Sequence, residues 1–184
     1  MRKFGVFAST IFISAILAGL YGIIHDQVTY SISTEYFTKF KYVQFGFEPA
    51  WFGGHRQTVA VIGFLATWWT GIIIGIGLGL TGLIYSDHKK MWKAIKKAIV
   101  FTFCAAVLTG FIGFLYGKIH LTKTGVSWWL PDNLVDKDSF IIVGSIHNFS
   151  YLGGLFGLII GIIYLIRQNK ILRTNQTLSS QITT

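Results

Sequence analysis

The sequence has little charge and one cysteine, and both shortages exclude whole classes of protein. Only 12% of its 184 residues are charged, against 52% that are hydrophobic, whereas an ordinary soluble domain carries about 25% charged residues. A water-soluble globular domain is therefore excluded. The single cysteine, Cys104, rules out an internal disulfide framework and a cysteine-rich metal site.

Common catalytic motifs are also absent. The chain has no Walker A sequence, no dinucleotide-binding fingerprint and no G-x-S-x-G elbow, so neither a nucleotide-dependent enzyme nor a serine hydrolase is indicated. The glycine-rich run at 71–82 lies inside an apolar stretch, where it cannot cradle phosphates. No H-E-x-x-H sequence and no Glu-x-x-His pair marks a named metalloenzyme.

Four apolar runs dominate the remainder of the chain. A helix needs about 20 predominantly apolar residues to cross the hydrocarbon core of a bilayer. The runs that qualify are Phe4 to Ile24, Val59 to Tyr85, Ala98 to Ile119 and Phe140 to Ile166. We therefore expect an all-α integral membrane protein whose single membrane domain is a bundle of four transmembrane helices.

The distribution of charge predicts the orientation of this bundle. The chain has 16 Lys and Arg against 7 Asp and Glu, and the acids are concentrated with the two long connections. The basic residues on the opposite side are Arg2, Lys3, Lys89, Lys90, Lys93, Lys96, Lys97, Arg167, Lys170 and Arg173, accompanied only by Asp87. Since cytoplasmic loops carry the excess of Lys and Arg, both termini are expected inside. We expect a multi-pass protein of the bacterial inner membrane.

Two segments of the chain resemble each other and suggest a tandem duplication of a two-helix hairpin. The first and third spans end in LYGIIH (20–25) and LYGKIH (115–120), and each is followed by a long aromatic connection. The returning spans share glycines at a spacing of four, at 71, 75 and 79 and at 153, 157 and 161, which favours close helix packing. The predicted divisions are repeat one (1–85), a basic turn (86–97), repeat two (98–173) and a flexible cytoplasmic tail (174–184).

Histidines near the outer ends of the four spans are the strongest functional signal. Each predicted span has one of them: His25, His55, His120 and His147. Ionisable residues inside a membrane are costly and mark function by default, and imidazole binds Zn, Cu, Fe and Ni. We predict a metal site formed by His25, His120 and His147, completed by His55, Asp26 or Glu35. The expected cofactor is Fe, Zn, Cu or Mn, with haem less favoured.

The first outer connection is rich in aromatic residues. Tyr36, Phe40, Val43 and Phe47 recur at helical spacing with polar residues between them. This pattern predicts a short amphipathic helix that lies in the outer membrane interface and roofs the histidines. An aromatic belt that only anchors the connection to lipid headgroups explains the same residues.

Four functions remain open from the sequence. The first is a membrane metalloprotein with a His-rich site between the outer halves of the helices, an oxidoreductase for a lipid-soluble substrate in its most specific form. The others are a haem-binding protein, a proton- or metal-coupled transporter of small solutes, and a non-catalytic membrane subunit. Whether the protein is an enzyme is left open. Expected partners are membrane lipid, a lipid-soluble small molecule, and a second copy of the chain or another membrane subunit, but not nucleic acid.

Overall fold

The computed structural model describes residues 2–182, and every regular element within that range is helical. In chain order, the α-helices of this range are α1 (Arg2–Ile32), α2 (Thr34–Tyr36), α3 (Tyr42–Phe45), α4 (His55–Gly82), α5 (His88–Tyr116), α6 (Thr122–Thr124) and α7 (Lys137–Ile182). Two π-helical segments, Phe37–Lys41 and Gly117–Leu121, and a 3₁₀ turn, Pro49–Phe52, lie between them.

Four helices are long and apolar enough to cross a membrane, which confirms the predicted number of apolar spans. They are α1, α4, the helix from His88 to Thr124 that includes α5, and the part of α7 up to Leu178. At 1.5 Å per residue, the 31 residues of α1 extend for about 46 Å. This exceeds the hydrocarbon core of about 30 Å, so the helix is long enough to cross it even when tilted. The chain is a multi-pass helical membrane protein.

The long helices pack as two antiparallel hairpins. Helix α1 packs chiefly against α4, and α5 packs chiefly against α7. Glycines bring the backbones together: a Cβ atom added to Gly22 would lie 2.0 Å from the carbonyl oxygen of Gly63, and one added to Gly153 would lie 2.9 Å from that of Ala105. The duplication of the hairpin stays a prediction, but this close packing is the role that the sequence suggested for the returning glycines.

Backbone carbonyls and basic side chains close one end of the bundle. Lys3 Nζ donates to the carbonyl of Leu83 at 3.0 Å, and Arg173 donates to that of Ile84 at 3.1 Å. Asp87 begins α5 by accepting hydrogen bonds from the backbone N–H groups of Lys89 and Lys90. These bonds hold the pKa of Asp87 below its usual value. The basic residues predicted on one side therefore share an end with the short turn.

The first long connection is helical, as predicted, but its buried face differs from the predicted one. Tyr36, Phe37 and Tyr42 are buried against α4 and α7, whereas Val43 is 75% exposed. The predicted stripe is therefore wrong at Val43, because the π-helical segment lengthens one turn and changes which residues point inward. The connection covers the end of the bundle at which α1 meets α7.

Helix α7 continues through most of the segment predicted as a flexible tail. It ends at Ile182, and residues 183–184 lie outside the described range. The hydroxyls of Thr174 and Thr177 donate to the backbone carbonyls four residues earlier, Lys170 and Arg173. Polar residues that ordinarily disfavour a helix are accommodated here by bonds within it.

Candidate metal centre

The candidate site lies where α1 faces α7, beneath the first connection. Helix α1 supplies the adjacent residues His25 and Asp26, and α7 supplies His147. The Oδ1 atom of Asp26 lies 3.0 Å from His25 Nδ1 and 3.2 Å from His147 Nε2. One nitrogen from each histidine and one carboxylate oxygen all lie within 4.8 Å of one another. The two imidazole rings meet edge to face, with centroids 4.6 Å apart.

The contact of His147 Nδ1 determines the tautomer of the imidazole ring. His147 Nδ1 lies 2.9 Å from the carbonyl oxygen of Val143, one helical turn earlier. A carbonyl only accepts, so Nδ1 carries a hydrogen, and in a neutral imidazole Nε2 then has none. Two acceptors, Nε2 and Asp26 Oδ1, consequently face each other at 3.2 Å. This arrangement requires a cation between them, either a proton or a metal ion.

His25 has a matching arrangement through a hydroxyl group. Its Nε2 lies 3.2 Å from Ser150 Oγ, which is on α7 one turn beyond His147. A serine hydroxyl both donates and accepts, so it can take the hydrogen of Nε2 and leave the lone pair of Nδ1 towards Asp26. Metal-ligating histidines ordinarily donate their other N–H to such a partner, which fixes the ring. Both histidines have such a partner here.

Asp26 is deeply buried, and only one of its two carboxylate oxygens has a polar partner. The residue is 2% exposed, and its second oxygen, Oδ2, has no hydrogen-bond partner within the described part of the chain. A buried carboxylate oxygen without a partner carries a substantial desolvation penalty. Two ligand atoms about 2.1 Å from one ion, at tetrahedral or octahedral angles, lie about 3.0 to 3.4 Å apart. The measured nitrogen-to-oxygen distances fall in that range.

Aromatic side chains surround the three residues. Tyr36, from the first connection, stacks on His147 with ring centroids 4.8 Å apart, and Phe37 lies against the same ring at 6.3 Å. Tyr21, one turn before His25 on α1, contacts the His25 ring at 5.4 Å. These contacts restrict the orientation of both imidazole planes.

Lys41 is a buried cation close to the site that sequence reasoning missed. It is 5% exposed, and its Nζ atom lies about 6 Å from the ring centres of Phe40 and Phe45. Burial lowers the pKa of Lys41, and the carboxylate of Asp26 partly opposes that shift. Lys41 points inward because it ends the π-helical segment Phe37–Lys41. The sequence has no signal for that segment, so the burial of Lys41 is known from the structure alone.

His55, His120 and Glu35, which the sequence also suggested as ligands, are held in other contacts. His55 Nδ1 lies 3.1 Å from the hydroxyl of Tyr42, and the exposed His120 stacks on Tyr116 at 5.1 Å. Glu35 forms an ion pair with Lys39 and accepts the backbone N–H groups of Val135 and Asp136. Together these bonds lower the pKa of Glu35 to about 2. The cluster therefore consists of His25, Asp26 and His147.

Two cavities flank the cluster, and each reaches it through a tyrosine. The larger cavity, about 310 Å³, lies between the long helices and has Tyr21 in its wall. The smaller, about 260 Å³, is lined by aromatic side chains of the two long connections and α7, including Tyr36, and by Asn148. A small molecule in either cavity would be one aromatic ring away from His25 or His147.

The chain was compared with models of protein families, with curated proteins and with solved structures. None of these comparisons finds a match.

Proposed function

We propose that this protein is a membrane metalloprotein that binds one divalent transition metal ion through His25 Nδ1, His147 Nε2 and the carboxylate of Asp26. The observation that carries the proposal is the convergence of two imidazole nitrogens and one carboxylate oxygen, from His25, His147 and Asp26, within 4.8 Å of one another at a buried position. The unpartnered Oδ2 of Asp26 supports it, because a metal ion accepts a second oxygen of the same carboxylate.

The ligand set indicates the kind of metal and chemistry. Two histidines and one carboxylate with open positions suit non-haem Fe(II), and Zn²⁺ also takes this set. Either ion would leave positions for water or substrate, and either could activate a bound water molecule. With iron in the site, an oxidoreductase for a lipid-soluble substrate is the most specific form of the proposal.

A haem centre is less well supported by the same geometry. The rings of His25 and His147 meet edge to face at 4.6 Å, and Asp26 Oδ1 lies 3.0 and 3.2 Å from a nitrogen of each ring. Two axial ligands of haem would instead face each other across the macrocycle. His120, the other candidate for such a pair, is exposed and stacks on Tyr116.

Elemental analysis of the detergent-purified protein tests the proposal. The protein is analysed as isolated and after anaerobic incubation with Fe(II) or Zn(II), followed by removal of unbound ion. We expect one equivalent of metal in the wild type and none in His147→Ala. His88→Ala is the matched control, because His88 pairs with Asp87 in the short turn at the other end of the bundle, and it should retain the metal.

Two further measurements keep the result interpretable. Size-exclusion chromatography and far-ultraviolet circular dichroism show whether His147→Ala is folded, and Asp26→Asn replaces it if it is not. Full metal content in both folded variants, or a metal-free wild type after incubation, would overturn the proposal. In the second case the cation between His147 and Asp26 is a proton, and ¹⁵N spectra of the imidazole would show both nitrogens protonated.

A further inference from the structure

Aromatic rings from three parts of the chain line the smaller cavity. They are Tyr36 and Phe40 from the first long connection, Trp128 and Trp129 from the second, and Phe140 from α7. Where these rings touch, their centres lie 5.0 to 6.4 Å apart. The cavity volume of about 260 Å³ compares with about 150 Å³ for an apolar protein cavity that holds benzene. A single flat ring with substituents is therefore the size and shape that fits.

Gly144 of α7 keeps this cavity open on one side. A Cβ atom added there would lie 3.4 Å from Trp128 Cζ2 and 3.7 Å from Tyr36 Cε2. The backbone of α7 at this position therefore lies against ring edges from both long connections. A larger side chain at Gly144 would occupy the space between the two rings, so the volume of the cavity depends on this glycine.

Polar atoms also contribute to the accessible wall, in contrast to the larger cavity, whose wall is almost wholly apolar. Asn148 lines the smaller cavity and is exposed, although it lies about 12 Å along α7 from Phe140 in a helix apolar enough to cross a membrane. Neither its amide nor the indole N–H groups of Trp128 and Trp129 forms a hydrogen bond within the described part of the chain. Since an unpaired amide in a membrane-spanning helix is costly, these groups indicate a bound molecule with hydrogen-bonding atoms.

The unpaired groups select the kind of atom that the ligand presents. An indole N–H only donates, and a side-chain amide can donate, so the partner that suits both is an acceptor such as a carbonyl oxygen. The charges nearby agree. Lys41 Nζ lies 6.0 Å from the ring centre of Phe40, and no acidic side chain lines the cavity within residues 2–182. A positively charged ligand would meet this ammonium group without a counter-charge, whereas an electron-rich oxygen is favoured.

We propose that the smaller cavity binds an uncharged quinone-like molecule, a single flat ring whose carbonyl oxygens accept hydrogen bonds from the Asn148 amide and the tryptophan indoles. Tyr36 both lines the cavity and stacks on His147, so the bound ring would lie beside the candidate metal centre. Binding by the cavity does not require metal. This proposal and the proposed function can therefore fail independently.

Equilibrium binding of radiolabelled tetramethyl-1,4-benzoquinone (duroquinone) to the protein in lipid nanodiscs tests this proposal, with binding to empty nanodiscs subtracted. We expect saturable binding with one site per chain. Gly144→Leu should weaken it at least about tenfold, because the added side chain fills the space between Trp128 and Tyr36. Gly154→Leu is the matched control and should bind like the wild type. Gly154 is on the same helix, has no atom within 4 Å of an added Cβ, and lines the larger cavity instead.

A second set of measurements tests the hydrogen bonds. Asn148→Leu keeps the size of the side chain and should weaken duroquinone binding about threefold to tenfold, the effect of one lost hydrogen bond. Asn169→Leu, towards the other end of α7 and outside the cavity wall, is its control. Durene has the same ring and methyl groups without the carbonyls, so it should bind the wild type more weakly than duroquinone does. If size-exclusion chromatography shows that Gly144→Leu is misfolded, Asn148→Leu decides the outcome.

Four results would overturn the proposal. They are no binding above empty nanodiscs, loss of binding in Gly154→Leu but not in Gly144→Leu, equal affinity of the wild type for duroquinone and durene, and displacement of duroquinone by tetraethylammonium, which would make the occupant a cation. Metal content is measured on the same samples. Full metal without duroquinone binding refutes only the cavity proposal, whereas duroquinone binding without metal refutes only the metal centre.

Discussion

The two segments that end in LYG and a histidine have nearly the same sequence and opposite environments. In the first, α1 remains a regular α-helix through Ile32, and the side chain of His25 is 11% exposed beside Asp26. In the second, the helix becomes π-helical at Gly117. His120 is exposed there, and its ring stacks on that of Tyr116. The residue after the histidine is aspartate in the first segment and leucine, Leu121, in the second.

This difference shows what a repeated sequence does and does not specify. Both histidines lie at the same end of the bundle, because each follows an apolar span and helix length determines how deep a residue lies. Direction depends on the turn in which the histidine lies, and a π-helical turn rotates every residue after it. Only the first segment combines an inward direction with a carboxylate, so only the first contributes to the site.

Exchange of the residue after each histidine has the largest expected effect. Asp26→Leu gives the first segment the second segment's residue and removes both the shared ligand and the charge that balances a metal ion. We expect metal affinity to fall by at least about 100-fold, more than the loss of a residue that only orients a ligand. Isothermal titration with Zn(II) measures it.

The reciprocal variant, Leu121→Asp, sharpens the comparison. It gives His120 an acidic neighbour, but within residues 2–182 no histidine on a second helix faces His120 as His147 faces His25. The count of bound metal ions should stay at one. A second equivalent of metal in Leu121→Asp would show that the aspartate alone, rather than the facing helix, makes the site.

The helices were predictable from the sequence, whereas the membership of the site was not. Runs of apolar residues fix the four spans through their length alone, and His25, Asp26 and His147 were three of the six ligands suggested by the sequence. The partnership of Asp26 with His147 depends on how α1 and α7 pack, over 121 positions in the chain. No local pattern encodes it. The inward direction of Lys41 and the outward direction of His120 both follow from π-helical turns, for which the sequence has no periodic signal.

Substitution of the glycines in the two LYG segments has the second largest expected effect, a loss of stability. A Cβ on Gly22 would lie 2.0 Å from the backbone oxygen of Gly63, whereas one on Gly117 would lie 3.0 Å from Ile142 Cα. Gly22→Ala must therefore separate α1 from α4, and we expect it to destabilise the fold by about 1 to 3 kcal/mol. Gly117→Ala should cost less. Apparent melting temperatures in one detergent rank the two variants, and an equal loss would contradict the difference in packing.

The contact between the two long connections should have a smaller, pH-dependent effect on the stability of the fold. Glu35 pairs with Lys39 and also accepts the N–H groups of Val135 and Asp136 at 3.0 and 2.7 Å. These bonds, first that with Lys39 and then those with the two amides, lower its pKa to about 2 from an ordinary 4.5. A lowered pKa means that the contact stabilises the fold fully above pH 4.5 and is lost as the pH falls through about 2.

Hydrogen exchange at Val135 and Asp136 measures this contact. After correction for the intrinsic rate, protection of the two amides should persist at pH 4 and decline towards pH 2. Glu35→Gln should reduce it at neutral pH. Glu48→Gln is the matched control, because Glu48 is the other acid of the same connection and is exposed. Loss of protection already between pH 6 and pH 4 would contradict the lowered pKa.

His120→Ala should have the smallest effect of all. The side chain is exposed, and its one ring contact is with Tyr116, which is itself 41% exposed, so we expect a change in stability within about 0.5 kcal/mol. Metal content should equal that of the wild type, in contrast to His25→Ala, which changes the same position of the other LYG segment. A loss of metal in His120→Ala comparable to that in His25→Ala would mean that the two segments act together. The site would then be built from both halves of the chain rather than from α1 and α7 alone.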